Sequence, residues 1–349
     1  MRILFFITGI GYGDSIRQHA IIKQLKDSKI LIATYHKGYH YFKNKYPTTK
    51  MHSYKFPDTS FKLKPFIFFL DNLFLMPFQF YDLIKFYFIT KKFNPDIIIS
   101  DLEPLAILIS KLFNKELITI FGIEPEILKE VKPKSIFLKL QKMYLQEMYS
   151  YGKIITPSLT GSKNSITINP IIRQHITTPE QTLMEKLQLK RKPILIMLGG
   201  SKFGIAVAKA LIKILPSIKE DFIIFGYKEN FKKDNITCYK FKENFLEYLK
   251  VSKAVITLAG HSTLSEIVVH KKPALIFPIQ NHLEQYINGY VLQKNNLALV
   301  KNLKEINPEI LKKHIQEFLK KENKFENNLK KLNLTGNGAK QAAEIIMKK

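Results

Sequence analysis

Four short loops, each closing an apolar run, hold the residue types able to bind a phosphate or move a proton. Gly9-Ile10-Gly11-Tyr12-Gly13-Asp14-Ser15 follows the first run, and glycines there permit a tight turn and close approach of a ligand to a helix N-terminus. The third glycine comes one residue too early for a dinucleotide fingerprint, and Tyr35-His36-Lys37 offers no acidic residue for a ribose, so NAD is disfavoured. Asp14 is either the helix N-cap or, facing a ligand, a general base. Leu198-Gly199-Gly200-Ser201-Lys202 lacks the Gly-Lys-Ser/Thr of a P-loop, leaving a tight turn or a seat for a phosphate or sugar.

The third loop, Ala259-Gly260-His261-Ser262-Thr263-Leu264-Ser265-Glu266, carries the strongest signal. Ser262 and Thr263, with backbone N–H groups at a positive helix end, form a diphosphate cradle, and Glu266 one turn on could accept both hydroxyls of a ribose. The plainer reading is a capped helix start. In the fourth, Gln280-Asn281-His282-Leu283-Glu284-Gln285-Tyr286-Ile287-Asn288, polar side chains bunch at a helix start, as a hydroxyl-rich ligand requires. His261 and His282 lack metal-ligand spacing, and the lone Cys238 cannot build a cluster, so no metal is expected.

The elements that must hold these loops alternate along the chain. Apolar, β-rich runs at 2–8, 29–35, 96–100 and 116–121 are interleaved with helical patterns from Ser15 and Pro104. The rhythm restarts after 152–165, with strands at 192–198, 221–225, 253–258 and 272–277 and helices near 204–215, 245–250, 262–270 and 283–294. Such βαβ alternation predicts parallel sheets, whose ligands sit beyond the C-terminal strand ends, where all four loops fall. The expected divisions are 1–160, 161–335 and a helix at 336–349 that packs back on the N-terminal domain.

At 349 residues, 46% hydrophobic and 24% charged, the chain suits two ordinary domains. The 55 basic against 29 acidic residues give +26, a field that attracts polyanions or an anionic membrane, or simply a solvated lysine surface. A single cysteine is an intracellular-type composition. Residues 3–7 are too short an apolar run for a secretory signal. The greasiest stretch, 66–89, is broken by Asp71, Asp82, Lys85 and Pro77, so no membrane-spanning helix is expected. The aromatic and basic residues of Phe61–Phe93, among them Phe66, Phe68, Phe69, Phe74, Phe78, Phe80, Lys62, Lys64, Lys85, Lys91 and Lys92, either pack the N-terminal core or form an interfacial patch on an anionic membrane.

The third and fourth loops, spaced A-G-H-S-T-L-S-E and then K-P-A-L-I-F-P-x-x-x-x-x-E-Q-x-x-N, resemble the C-terminal domain of GT-B glycosyltransferases of the family-28 type, the family of the peptidoglycan N-acetylglucosaminyltransferases. Gly11-Tyr12-Gly13-Asp14-Ser15-Ile16-Arg17 is similar to that family's G-x-G-H-x-x-R turn, with Asp14 in place of the histidine. Ser100-Asp101-Leu102-Glu103-Pro104-Leu105-Ala106 is similar to a segment of archaeal-type relatives. The resemblance implies an α/β GT-B fold of two Rossmann-like, doubly wound domains facing across a cleft. Donor contacts would come from Gly199, Gly200, Ser201, Gly260 and His261, from Ser262 and Thr263 at the diphosphate, and from Glu266 at the ribose. Glu284 and Gln285 would meet the sugar, Asn288 would belong to the same donor site, and the backbone beside Phe241 and Lys242 would meet the uracil. Arg173, in Asn169-Pro170-Ile171-Ile172-Arg173, would reach the diphosphate, although this segment has one residue more than the family's N-P-x-R. Gly11, Gly13, Arg17, Asp101 and Glu103 would face the acceptor.

What the resemblance implies is an inverting, metal-independent transfer of a sugar from a UDP-sugar to an acceptor hydroxyl, lipid-linked if the aromatic segment meets a membrane. Asp14 is the expected base, with His19 in reserve. No cofactor is expected beyond the UDP-sugar co-substrate, and the expected place is the cytoplasm or the inner membrane face. A UDP-N-acetylglucosamine 2-epimerase-like enzyme and a non-catalytic nucleotide-sugar or membrane-binding subunit remain the alternatives. Nucleic acid is disfavoured, because the aromatics gather in a greasy, partly acidic segment and not along a Lys/Arg stripe.

Overall fold

Runs of isoleucine, leucine and phenylalanine buried on both faces build two parallel sheets, one in each of two folded units. The computed structural model describes residues 1–52, 70, 72–161, 167–198, 202–240 and 242–348, with Lys202 and Phe203 described by backbone alone. Gly199, Gly200, Ser201 and Phe241 lie outside the described residues, as do Phe61, Lys62, Lys64, Phe66, Phe68 and Phe69.

The first unit begins with β1 (Arg2–Phe6), α1 (Tyr12–Ile22), β2 (Lys29–Thr34), α2 (His36–Phe42) and β3 (Thr48–Lys50). It continues through α3 (Met76–Phe93), β4 (Ile97–Ser100), α4 (Pro104–Leu112), β5 (Glu116–Ile120), α5 (Pro125–Glu130), α6 (Ile136–Tyr149), β6 (Lys153–Pro157) and β7 (Thr167–Ile168). The strand order β3-β2-β1-β4-β5-β6-β7 is parallel throughout and reverses direction between β1 and β4, the switch point where doubly wound sheets bind ligands. Alternate residues of β1 divide between two cores. Ile3 and Phe5 pack with α1, Phe42 and the C-terminal helix, and Leu4 and Phe6 with Phe86, Ile109 and Met148 of the helices on the other face.

The expected boundary at 160 moves to Gln174, because Thr167–Ile168 pairs with β6 as the last strand of the first sheet. The first unit resumes at Thr335. The C-terminal helix Gly338–Met347 buries Ala339, Ala342, Ala343 and Ile346 in its core. A Cβ at Gly338 would stand 1.9 Å from the Asn169 carbonyl, so only glycine lets this helix dock there.

The second unit, His175–Leu334, runs α7 (Glu180–Lys186), β8 (Ile194–Met197), α8 (Lys202–Ile214), β9 (Phe222–Phe225), β10 (Phe231–Lys233) and β11 (Ile236–Tyr239). There follow α9 (Phe245–Val251), β12 (Ala254–Thr257), α10 (His261–Val269), β13 (Ala274–Ile276), α11 (Leu283–Lys294), β14 (Leu299–Val300), α12 (Pro308–Leu319) and α13 (Glu322–Lys330). Its order, β10-β11-β9-β8-β12-β13-β14, reverses between β8 and β12, and among the described residues only β10 runs antiparallel.

Helix α3 is apolar on both faces: Phe86, Leu83, Ile89 and Phe93 pack on the core beside the inward Asp82, which accepts from the His52 backbone N–H at 2.5 Å, while Phe74, just before the helix, and Phe80 and Phe88 on it are 76%, 65% and 64% exposed. Leu108 and Leu112 of α4 and Ile136, Leu140 and Met143 of α6 are exposed on the same side of the sheet. Of the aromatics on α3, Phe86 alone is fully buried. Among the described residues no helix is long and apolar enough to cross a membrane.

Candidate active site

At the C-terminal edge of the first sheet, Thr8, Asp14, Arg17, Tyr35, Asp101 and Glu103 converge around the β1/β4 switch point. Gly9 makes the convergence possible, since a Cβ there would lie 1.9 Å from the Tyr35 carbonyl. Asp14 is not the cap of α1. The N-cap is Gly11, which has no side chain to cap the turn, and Asp14 sits inside the first turn and accepts from Arg17 at 2.9 Å. The same Arg17 nitrogen donates to Asp101, past the end of β4, at 2.6 Å, with both side chains buried. The guanidinium also lies 5.8 Å from the centre of the Phe121 ring.

Glu103 occupies the adjacent position as N-cap of α4, 4% exposed. Its Oε1 is 2.8 Å from Thr8 Oγ1, beyond β1, and 2.8 Å from the Tyr35 hydroxyl, beyond β2. Burial first, and then the nearby Asp101 and Asp14 charges, push the Glu103 carboxyl up to about 8, against the pull of the two hydroxyls. Burial likewise raises the Tyr35 hydroxyl, with Glu103 adding to it. Between the two acids, Leu102 has φ +55°, a left-handed conformation unfavourable for a branched side chain. That turn directs Asp101 to Arg17 and Glu103 to Tyr35.

His19 stands apart from this group. It is buried among Tyr41, Phe42 and Tyr46, with Nδ1 2.8 Å from the Tyr41 hydroxyl, and burial lowers its imidazole to about 4. The reserve-base reading is corrected accordingly: five residues on from Asp14, His19 faces the α2 side of its helix and packs there. Arg173, expected at the diphosphate, lies just before the boundary at Gln174. It belongs to the first unit, where its charge acts on Tyr41.

In the second unit α10 begins at His261 with Gly260 as N-cap, so the capped-start reading gives way to a turn whose cap has no side chain. A Cβ added at Gly260 would meet nothing within 4 Å. Ser262 and Thr263 stand half-buried in the first turn, and Glu266 is buried one turn on. The resemblance places Gln285 at the sugar and Asn288 in the donor site, and in the structure both bind backbone. Gln285 Oε1 accepts from Ala259 N–H at 3.3 Å and Ile279 N–H at 3.0 Å, and Asn288 Nδ2 donates to the Ala259 carbonyl at 3.0 Å. They brace the loop before α10 from the start of α11, where Glu284 is half-buried. His282, the N-cap of α11, is lowered to about 4 by burial and is therefore neutral. Lys242 Nζ lies 4.6 Å from the centre of the Tyr239 ring at the end of β11, whose ring neighbours Phe225 and Tyr248.

Thr8 and Tyr35 were not among the expected site residues. The signal available for them was weak: a hydroxyl residue just beyond an apolar run, at the C-terminal end of a strand that borders the switch point.

Residues 1–321 match the family described as Glycosyl transferase family 1. An uncharacterized glycosyltransferase of Methanosarcina mazei is 26% identical over 93% of this chain and 92% of its own. The UDP-N-acetylglucosamine--N-acetylmuramyl-(pentapeptide) pyrophosphoryl-undecaprenol N-acetylglucosamine transferase of Clostridium botulinum (strain Loch Maree / Type A3) is 27% identical over 54% of this chain. The match spans only 57% of that relative's length. Among solved structures, MurG of Acinetobacter baumannii superposes with a TM-score of 0.64 at 12% identity, covering 100% of this chain and 99% of that one.

Proposed function

From the premise that the chain belongs to glycosyl transferase family 1 and has the GT-B fold, we propose that it is an inverting, metal-independent transferase moving a sugar from a UDP-sugar to an acceptor hydroxyl. One observation carries this reading: the two units offer complementary chemistry at their switch points. The second presents the N-terminus of α10 over an open Gly260, with Glu266 one turn away, suited to a diphosphate and a ribose. The first presents Asp14, whose carboxylate is held by Arg17, suited to a hydroxyl proton.

In the proposed step the acceptor oxygen forms a bond to the anomeric carbon as its proton passes to Asp14. The bond from that carbon to the UDP oxygen breaks, and UDP departs with the electron pair. A single displacement inverts the anomeric centre. The positive end of α10 stabilises the charge that develops on the diphosphate, the role a metal fills in other transferases. Gln285 and Asn288 act here by holding the Ala259-Gly260 turn in place.

The acceptor we propose is lipid-linked. The exposed apolar side chains of α3, α4 and α6, with Lys91, Lys92, Lys111 and Lys139 on the same helices, suit the face of an anionic bilayer. The Clostridium relative, whose name specifies an undecaprenol-linked acceptor, supports the same reading.

Thermal-shift titration with UDP, GDP, TDP, ADP and NAD tests the donor. A ligand at a hundred times its Kd stabilises by about 2.7 kcal/mol, so a selective shift with UDP, absent in Glu266→Ala, is expected. Lack of any nucleotide shift would remove the reading.

A further inference from the structure

The oxygen atoms around Glu103 do not have enough protons if that carboxyl is ionised. Thr8 Oγ1 lies 2.7 Å from the Asp101 carbonyl oxygen and 2.8 Å from Glu103 Oε1, and Glu103 Oε1 lies 2.8 Å from the Tyr35 hydroxyl. A peptide carbonyl can only accept, and Thr8 has one proton to give. The Tyr35 hydroxyl also bonds Thr8, so two hydroxyl protons face four contacts; with one on the Asp101 carbonyl and the Tyr35 proton on Glu103, the Thr8–Glu103 contact still requires one. The remaining source is the carboxyl itself.

We propose that Glu103 works as a neutral carboxylic acid that positions the base: its proton holds Thr8, Thr8 holds the Asp101 peptide, and the Asp101 carboxylate holds Arg17 against Asp14. The surroundings favour the neutral form. Asp14 and Asp101 face Glu103 as like charges from α1 and from its own loop, and Arg17, on α1, is directed at both of them. Tyr35 approaches from the end of β2, with the weakly basic His36 beside its ring, and the Tyr144 hydroxyl of α6 lies 3.5 Å from the Leu102 carbonyl. A carboxyl pushed up to about 8 is consistent with this count. Leu102 keeps its left-handed turn because both neighbouring side chains are anchored, one to a cation and one to hydroxyls.

The protonation stands independently of the reaction, whereas its effect on turnover rests on Asp14 being the base. The infrared difference spectrum between the ligand-free protein and Glu103→Gln tests the first. A protonated-carboxyl C=O band belonging to Glu103 should be present at pH 7 and fade as pH rises through about 8, and its absence at pH 7 overturns the proposal. Sugar transfer tests the second. As pH rises through the same range kcat should fall, by roughly tenfold per unit beyond the midpoint for one ionisation, with KM for the donor unmoved. Glu103→Ala should lose kcat at every pH, while Glu103→Gln, whose amide still donates to Thr8, should restore most of that loss and abolish the alkaline limb. A kcat that rises through about 8 and vanishes in Glu103→Gln would make Glu103 the base and overturn the positioning role. A protein that shows the band but transfers no sugar retains its neutral Glu103 and loses the proposed function.

Discussion

Asn288 reaches back from α11 to donate its side-chain N–H to the carbonyl of Ala259 at 3.0 Å, while Gln285 of the same helix accepts from that residue's N–H. A single residue before the proposed diphosphate turn is thus gripped at both peptide groups by one helix. Asn288→Ala should strand a buried carbonyl, costing about 1–3 kcal/mol of stability, and should weaken UDP binding about tenfold, equivalent to 1.4 kcal/mol. Urea unfolding and UDP titration read the two effects separately. Lost stability with unchanged affinity would confine the brace to folding.

Asp14→Asn keeps the shape of the residue and removes its ability to take a proton. Turnover should fall by about 10²–10⁴, and the thermal shift with UDP should stay near that of the unmodified protein. If nucleotide affinity falls along with turnover, Asp14 is not the base.

Arg17→Met should be among the most destabilising single changes in the first unit. It leaves the buried Asp101 carboxylate without its cation, a loss of about 3–5 kcal/mol. Adding Asp101→Leu removes the stranded charge and should recover part of that loss. The urea midpoints of the single and double variants decide this, and additive losses would show that the two side chains are not coupled.

Acid should destabilise the fold before its carboxylates titrate fully. Burial lowers His19, His270 and His282 from 6.5 to about 4, so all three are neutral when folded near pH 5 while the unfolded chain takes up protons. Their contribution is fully present above pH 6.5 and is lost as pH falls through about 4. Substituting His19 with phenylalanine should flatten part of the slope in this window. The pH profile of sugar transfer should be unchanged by the substitution if His19 has no part in proton transfer.

Replacing Phe80 and Phe88 by serine should reduce cosedimentation with vesicles containing anionic lipid and leave the UDP thermal shift intact. Adding salt should weaken vesicle binding through the lysines without abolishing it. Equal vesicle binding by the substituted and the unmodified proteins would remove this face from membrane contact.

Much of the fold was legible because it depends on local pattern. The runs at 29–35, 96–100, 221–225 and 253–258 coincide closely with strands β2, β4, β9 and β12, since a strand covered on both faces must be apolar at nearly every position. Short elements with little apolar content were not legible. Thr48–Lys50 and Thr167–Ile168 are strands only because a neighbouring edge supplies their hydrogen bonds. Missing the second of these put the expected boundary at 160 and not at Gln174.

The sequence by itself determined the alternation of strands and helices, the four strand-end loops, and the presence of Asp14, Asp101, Glu103 and Glu266 in those loops. These follow from side-chain polarity and spacing along a single segment. Tertiary structure alone decided what each polar group bonds to. Arg17 meets Asp101 across 84 positions, Tyr35 meets Glu103 across 68, and Gln285 and Asn288 turn to Ala259. It also decided that α3 turns Asp82 and Phe86 inward and leaves Phe78, Phe80, Tyr81 and Phe88 exposed. Those outcomes depend on which strand ends the sheet order brings together, and a buried polar group takes whichever partner that order supplies.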